Sequence, residues 1–525
     1  MKVLVTDPID RQGIERLQEA GHEVQEAYDL GQEALLEAVE STHALVVRSG
    51  TEVTEAVIEA APELVIIGRA GIGTDNIDQA AATRHGVIVA NAPEGNLRAA
   101  AEHTVAMTFA IARSIPQADA RLRKGEWAKS EFVGTELNGK TLGIVGMGRV
   151  GQEVARRLSD LGMELVVYDP YLSSERVQQL GGELVDLETC LERADFVTIH
   201  APLTPETEGL IDEAELERIG DGYLINCARG GIIQEDALAQ AVADGSLRGA
   251  ALDVFAEEPL PASSPLLEVE DIIVTPHLGA STEAAQENVA TSIADQVIAA
   301  FEDEPVLNAL NAPSIDERVF PRVRPYIDLA ETAGKVAVQL FGDRIERINV
   351  HYAGEIAEHD VELITASAIT GVFAPLEWPV NVVNARQIAE DRGVDVTESK
   401  RRRTEDFADL VRIEVGNDGE GLAVECTLFT GGEPRIVRID GYRVDAIPHG
   451  HMLVARNQDT PGVIGFIGSV LGDREINIAG MFNSREAHGG EALTVYNLDE
   501  AVPEDVLEEL NADDRLIEAR YITLN

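Results

Sequence analysis

The stretch Lys140-Thr141-Leu142-Gly143-Ile144-Val145-Gly146-Met147-Gly148-Arg149-Val150-Gly151 constrains the fold of this chain more than any other. Leu142 to Val145 reads as a buried parallel strand, which breaks at Gly146 into a G-x-G-x-x-G turn and continues as an amphipathic helix through Leu158. In such a turn Gly146 permits the tight bend, Gly148 lets the backbone approach a pyrophosphate, and Gly151 allows close helix–strand packing. The helix then points free N–H groups and a partial positive charge at the phosphates. Alone, the pattern fits any glycine-rich turn, but its context specifies more. Glu164 to Tyr168 forms a second apolar strand ending at Asp169, about 18 residues after the last glycine, where an acid meets the adenosine ribose 2′-OH. A dinucleotide site is expected here, and Asp169 favours NAD over NADP because its carboxylate repels a 2′-phosphate.

The same rhythm continues from Thr141, with apolar runs at 142–145, 164–168, 195–199, 223–227, 249–253 and 272–275 and helical patterns between them. This α/β alternation predicts a doubly wound, Rossmann-like nucleotide domain over 98–282. Ahead of it, Val3 to Val5, Ala44 to Val47, Leu64 to Ile67 and Val87 to Val89 alternate with helical stretches such as Gly13 to Ala20, predicting another parallel α/β unit over 1–97. A long helical stretch, Leu97 to Ser114, joins the two. The helix Glu283 to Phe301 is expected to return to the first lobe, so that this lobe comprises 1–97 and 283–312.

Glu304-Pro305 through Ala312-Pro313 reads as a linker. Residues 313–450 change character and read as an α+β domain, with a helix around Pro325 to Phe341 and strands at 412–415, 424–428 and 435–439. Within it Lys400-Arg401-Arg402-Arg403 reads as a solvated loop, with an anion site as the alternative. Residues 451–525 follow a βαββαβ order, the ferredoxin-like split unit.

Charge sets the surface. Acids number 93 against 42 bases, giving a formal charge of −51, and lysine occurs only at 2, 124, 129, 140, 335 and 400. The acids are spread along the whole chain, so the surface repels nucleic acid and anionic lipid. Long apolar segments exclude a disordered acidic protein. A salt-rich cytoplasm, whose counterions screen the self-repulsion, fits this composition. Cys190, Cys227 and Cys426 are odd in number and far apart, which suggests neither a disulfide framework nor a zinc site. No metal is expected. Met1 to Asp7 reads as a first strand and no apolar run approaches a membrane span.

Three further stretches leave strand carboxyl ends, where ligands bind in such sheets. They are Ile225-Asn226-Cys227-Ala228-Arg229-Gly230-Gly231, then Ala251 to Pro259, and then Val274-Thr275-Pro276-His277-Leu278-Gly279-Ala280-Ser281-Thr282. Together they supply a guanidinium, a carboxylate and an imidazole. Singly, Arg229 reads as a surface residue, Glu258 as one acid among many and His277 as a satisfied loop histidine.

Taken in order, Gly146 to Gly151, Asn226 to Gly231, Ala251 to Phe255 and Pro276 to Thr282 resemble the D-isomer-specific 2-hydroxyacid dehydrogenases, and Arg69 to Asp78 fits the same family. Within it the chain looks most like the long D-3-phosphoglycerate dehydrogenases, which add an intervening domain and a C-terminal ACT domain, so the likeness spans the whole chain. The resemblance implies a flavodoxin-like substrate lobe, NAD as cofactor and oxidation of 3-phosphoglycerate at the head of phosphorylated L-serine biosynthesis. It implies His277 as acid/base, Glu258 as its partner and Arg229 as the substrate clamp. Arg149 and Val150 join the three glycines and Asp169 in the cofactor set. Cys227 and Asp253 match positions lining the nicotinamide pocket, and Ala201 one near the cofactor.

For the substrate, Arg48, Ser49 and Gly73 correspond to loops that receive it, with Arg48 at the phosphate, and Lys129 to a segment reaching into a neighbouring subunit. Asp459 and Asn477 match serine-binding positions, while Asn457 stands where the family has His or Tyr. Arg435 and Arg443 fall in the part resembling an anion-binding module. A homotetramer and L-serine as effector follow by the same likeness. The rivals are a glyoxylate or D-lactate-type reductase, a nucleotide-sensing regulator without turnover, and an amino-acid sensor acting on a partner.

Overall fold

Apolar runs with little alternation become parallel strands buried on both faces, and the chain uses them twice before changing architecture. The computed structural model describes residues 1–315, 318–376, 378–404, 406–485 and 487–524. In the first sheet β1 (Lys2–Val5), β2 (Glu23–Glu26), β3 (Ala44–Val47), β4 (Ile66–Arg69) and β5 (Ile88–Asn91) run parallel in the order β2-β1-β3-β4-β5. This is the flavodoxin-like order. Helix Glu283–Phe301 closes one face, burying Val289, Ile293, Ala294 and Val297 in one core with Val3 and Val5. Its close approach depends on small residues, since a Cβ at Gly68 would lie 2.8 Å from the Ile293 side chain.

The second sheet contains β6 (Thr141–Val145), β7 (Glu164–Tyr168), β8 (Gly182–Leu184), β9 (Phe196–Ile199), β10 (Tyr223–Asn226), β11 (Gly249–Leu252) and β12 (Ile272–Val274). All pair parallel in the order β12-β11-β10-β9-β6-β7-β8. The chain winds one way from β6 to β8 and the other from β9 to β12. The glycine turn after β6 therefore sits at the switch point, where such sheets bind ligands.

The third sheet is mixed: β13 (Arg347–Gly354), β14 (Asp395–Arg401), β15 (Asp409–Gly416), β16 (Gly421–Phe429), β17 (Glu433–Ile439) and β18 (Tyr442–Ala446), in the order β14-β13-β15-β16-β17-β18. The fourth, antiparallel, has β19 (His451–Gln458), β20 (Ile478–Arg485), β21 (Glu491–Leu498) and β22 (Leu516–Thr523) in the order β20-β21-β19-β22, with the ferredoxin-like connection. Met452, Val454, Leu493, Val495 and Ile522 from this sheet share one apolar cluster with Ala337, Val338 and the third sheet. The two C-terminal units thus bury a continuous core. The third unit also touches the first lobe, where Asn381 Nδ2 donates to Gly86 O at 2.8 Å.

Several expectations shift for local reasons. The strand expected at 64–67 lies at Ile66–Arg69, because its register is set by pairing with β3 and β5. β2 and β14 escaped notice: their residues are largely exposed and carry no apolar run. Lys400 and Arg401 are not loop residues as expected but close the edge strand β14, where charge discourages pairing with other chains. Leu97 to Ser114 ends as a helix at Ala112; Ser114 takes φ 48° and a second helix, Ile115–Arg123, begins. Helix Glu362–Phe373 lacked an amphipathic signal because it is buried nearly all round. It crosses helix Phe320–Phe341 through Gly334 and Gly371, where added Cβ atoms would overlap the facing backbone at Ala368 and Glu331. No described helix is long and apolar enough to cross a membrane.

Candidate active site

β10, β11 and β12 are adjacent and parallel, so their carboxyl ends deliver three loops to one edge. Asn226, the last residue of β10, shapes the first: its Nδ2 donates to Arg229 O at 2.8 Å and its Oδ1 accepts from Ala228 N–H at 3.0 Å. Gly230 follows, and a Cβ there would overlap the Phe255 carbonyl, so only glycine lets the arginine loop lie on the loop after β11. In that second loop Phe255 N–H donates to Glu258 Oε1 at 3.0 Å, and Glu258 Oε2 meets His277 Nδ1 of the third loop at 2.7 Å. The guanidinium, carboxylate and imidazole expected from three separate motifs are thus linked by a short path of backbone and side-chain contacts.

Asp253 follows β11, at the same sheet edge as the loops carrying Arg229 and His277. It has no exposed surface. Its Oδ1 accepts from Thr275 Oγ1 at 2.5 Å and Leu278 N–H at 2.8 Å, and its Oδ2 from Gly279 N–H at 2.8 Å. His103 Nε2 stands 3.1 Å from Oδ1. Burial alone would raise this carboxyl, but the bonds from His103, Thr275 and Leu278 hold it below the usual carboxylate range. The acid after β11 is covered by the loop it folds. Glu258 is likewise held low; burial opposes ionisation, and the bonds from His277 and Phe255 N–H outweigh it. His277 itself adopts φ 54°, a left-handed conformation costing on the order of 1–2 kcal/mol in a residue with a Cβ, and the Asp253 bonds to the next two residues maintain it.

Arg229 reaches the other lobe. Its Nε donates to Asp75 Oδ2 at 2.8 Å and its Nη1 to Ala228 O at 2.6 Å. Gly73 lies beneath the Nη2 end, where a Cβ would overlap the guanidinium. Neighbouring this contact is a cavity of about 400 Å³ whose lining includes Arg11, Arg48, Arg69, Asn96 and Gln286. Arg69 Nε and Asn96 Oδ1 are buried without a protein partner. The Arg69 guanidinium is pushed down to about 10, by burial first and then by Arg229 and Arg48, with Asp75 and Asp7 acting in the opposite sense. Arg48 is fixed through its backbone, whose N–H donates to Asp7 Oδ2 at 2.5 Å, and Ser49 beside it is exposed.

On the nucleotide side Gly146 has φ 90°, and a Cβ there would lie 2.9 Å from His200 O and 3.0 Å from Ala201 N. A Cβ at Gly151 would come within 2.5 Å of Gly146 O, whereas that of Gly148 would meet no protein atom within 4 Å. Helix Arg149–Asp160 starts there with its amides open to this space. Gly148 therefore faces outward from the turn, as the close approach of a pyrophosphate requires. Asp169 follows β7 and accepts from Met147 N–H at 2.8 Å and Tyr171 N–H at 2.9 Å, which fixes the acid against the glycine turn. Arg149 is exposed and Val150 half-buried. Cys227 is half-buried on the arginine loop, its thiol pushed up to about 12 by burial and by Asp253.

Other expected residues are not gathered. Lys129 is exposed between helix Ile115–Arg123 and β6, with no bond to the cluster among the described residues. Asn457 is buried in β19 and donates to Gln458 O, Asp459 pairs with Arg485 at 2.6 Å, and Asn477 donates to Asp499 at 2.6 Å. Asp459 and Asn477 thus have side-chain partners of their own, while Asn457 Oδ1 is buried without one. Arg435 pairs with Glu433 and Arg443 with Asp406. Asp75, His103 and Arg69 were not singled out from sequence; Asp75 and Arg69 lie in the quoted Arg69 to Asp78 segment, which was the one available signal. Among the described residues Glu55, Glu59 and His85 bring potential ligand atoms together, but all three are exposed and Glu55 already pairs with Arg84.

Residues 105–279 match the family model of the D-isomer specific 2-hydroxyacid dehydrogenase NAD binding domain, 322–440 the D-3-phosphoglycerate dehydrogenase intervening domain, and 451–515 the ACT domain. The D-3-phosphoglycerate dehydrogenase of Archaeoglobus fulgidus is 42% identical over 528 residues, covering 100% of both chains. That of Bacillus subtilis is 39% identical over 528 residues, covering 100% of this chain and 99% of its own. Among solved structures, D-lactate dehydrogenase from Aquifex aeolicus, complexed with NAD and lactic acid, superposes with TM-score 0.55 at 26% identity over 60% of this chain and 100% of its own. An NAD-dependent formate dehydrogenase from Staphylococcus aureus in complex with NAD gives 0.53 at 32% identity over 58% and 97%. The chain belongs to the D-3-phosphoglycerate dehydrogenases, NAD-dependent members of the D-isomer-specific 2-hydroxyacid dehydrogenase family.

Proposed function

We propose that this chain oxidises the C2 hydroxyl of 3-phosphoglycerate to 3-phosphohydroxypyruvate, the first step of phosphorylated L-serine biosynthesis. The observation that carries the reading is the 2.7 Å bond between His277 Nδ1 and Glu258 Oε2, on loops that adjoin Arg229. With Nδ1–H donating to the carboxylate, Nε2 is the ring acceptor that takes the C2 hydroxyl proton, and Glu258 balances the imidazolium that results. Arg229 binds the C1 carboxylate with its planar fork and stabilises charge on the C2 oxygen. In the reverse direction the same imidazolium returns the proton. Arg48 and Arg69 receive the phosphate in the cavity they line.

When bound, NAD accepts the hydride from C2. Gly146, Gly148, Arg149, Val150 and Gly151 carry its pyrophosphate at the helix start, Asp169 takes the ribose hydroxyls, and Ala201, Cys227 and Asp253 border it. Residues 1–97 with 283–312 serve as the substrate lobe, 98–282 as the NAD lobe, and 313–450 and 451–525 as regulatory units. L-serine is the proposed effector of the last, through Asp459 and Asn477; a homotetramer, with Lys129 reaching a neighbouring subunit, and a salt-rich cytoplasm complete the reading.

NADH formation from 3-phosphoglycerate, with and without L-serine, tests it. Turnover with 3-phosphoglycerate is expected to exceed that with D-glycerate or D-lactate, and its absence sinks the proposal. Arg48→Ala should raise KM for 3-phosphoglycerate roughly tenfold, the scale of one lost charged hydrogen bond, and spare D-glycerate. Equal losses on both contradict a phosphate role for Arg48. Unchanged turnover under saturating serine removes serine as the effector.

A further inference from the structure

We infer that Asp75 is a positioning residue for the reaction: from the opposite lobe it holds the Arg229 guanidinium by Nε, so that the Nη2 edge is presented over Gly73 to the substrate carboxylate. This role rests on the function proposed above.

A guanidinium has five N–H donors in a fixed fork, and its direction matters as much as its charge. Two sides of the Arg229 fork are taken: Nε donates to Asp75 Oδ2 at 2.8 Å and Nη1 to Ala228 O at 2.6 Å. Both bonds come from groups in fixed places, so the last side-chain torsions have little freedom. Nη2 remains, directed over Gly73, where any side chain would overlap it. Gly73 and Asp75 thus act together, one opening the space and the other fixing what fills it.

Asp75 has a firm base. The next residue, Asn76, donates from Nδ2 to Arg48 O at 2.7 Å and Thr51 O at 2.6 Å, and its carbonyl accepts from Val53 N–H at 2.8 Å. Asp78 then caps the following helix through Ala81 N–H at 2.8 Å. The acid is therefore pinned to the loop that carries Arg48, and it joins the two lobes across 154 residues of sequence.

Asp75 also has an opposing effect, since its charge repels an anionic substrate. The two effects predict opposite signs. The bond to Arg229 is direct and charge-assisted, whereas repulsion acts at longer range from a side chain that is 55% exposed and screened by solvent. Positioning should dominate.

The test compares Asp75→Ala and Asp75→Asn in the full-length protein, with and without Arg229→Lys. In Asp75→Ala, KM for 3-phosphoglycerate should rise roughly ten- to a hundredfold, the range for a charged hydrogen bond, while NAD affinity by direct titration stays unchanged. Asp75→Asn, whose amide oxygen still accepts from Nε, should recover part of the loss. In the Arg229→Lys background Asp75→Ala should add little, because the fork it orients is gone. A KM that falls or stays level in Asp75→Ala, or a loss fully additive with Arg229→Lys, overturns the inference while leaving the reaction intact. No oxidation of 3-phosphoglycerate by the unaltered protein overturns both.

Discussion

His277 stands in a left-handed conformation at φ 54°, and its stability there comes from a different residue. Asp253 receives the amides of Leu278 and Gly279 and is paired with His103, so a buried acid behind the site maintains the loop in front. The two acids near the histidine therefore do different work. Glu258 faces the ring and, in the proposed reaction, bears on proton transfer; Asp253 bears on the fold of the loop. His277→Ala should cut turnover by roughly 10²–10⁴ with NAD binding intact in a fluorescence titration. Near-normal turnover would remove His277 from the chemistry.

Asp253→Asn makes a separate prediction about stability. Because the folded-state carboxyl is held low, its stabilisation is complete above the ordinary carboxylate range and lost as pH falls through the folded value. The variant should therefore be less stable at neutral pH, by about 1–3 kcal/mol for each amide left poorly paired. That gap should close as pH falls below the carboxylate range, as denaturant titrations at several pH values would reveal. At this scale the sequence was informative where a residue sits in a local motif, as Arg229, Glu258 and His277 do. It was silent on Asp75 as a partner of Arg229 and on the bonds that bury Asp253, because burial and cross-lobe pairing are not properties of a segment.

Among the elements, the strands of the two parallel sheets were legible because they are short apolar runs bounded by turn residues. Helix Glu283–Phe301 was read with its observed limits. Edge strands were lost: β2 is Glu-Val-Gln-Glu, and nothing in its composition signals a ladder formed on only one side. Helix Glu362–Phe373 was lost for the opposite reason, being too uniformly apolar to show a face. Its crossing with helix Phe320–Phe341 is set by glycines, so Gly371→Ala should force backbone apart at Glu331 and destabilise the third unit by about 1–3 kcal/mol, the usual cost of overpacking. Thermal unfolding followed by calorimetry should register that loss while NAD affinity is retained; an unchanged transition would mean that the two helices tolerate a methyl group at their crossing.

For the molecule as a whole, a charge of −51 sets a self-repulsion that local ion pairs do not remove. Salt screens it over about 30 Å at 0.01 M and about 3 Å at 1 M. The melting temperature should therefore rise from millimolar to molar salt, and a flat profile would contradict a surface built for a salt-rich cell. Tertiary structure also joins units that sequence kept apart. The fourth sheet buries Met452, Val454 and Ile522 with the third unit, and Asn381 binds the first lobe at Gly86.

The sequence by itself determined the strand–turn–helix that receives a dinucleotide and the three loops that carry a guanidinium, an acid and an imidazole. These depend on residues a few positions apart, whose spacing fixes both local conformation and exit from a strand. Only the tertiary structure decided that Arg229 is held by Asp75 across the lobes, that Asp253 binds the amides of the loop carrying His277, and that the last two units share a core. Those outcomes depend on which surfaces meet, and packing, not chain proximity, selects the meeting.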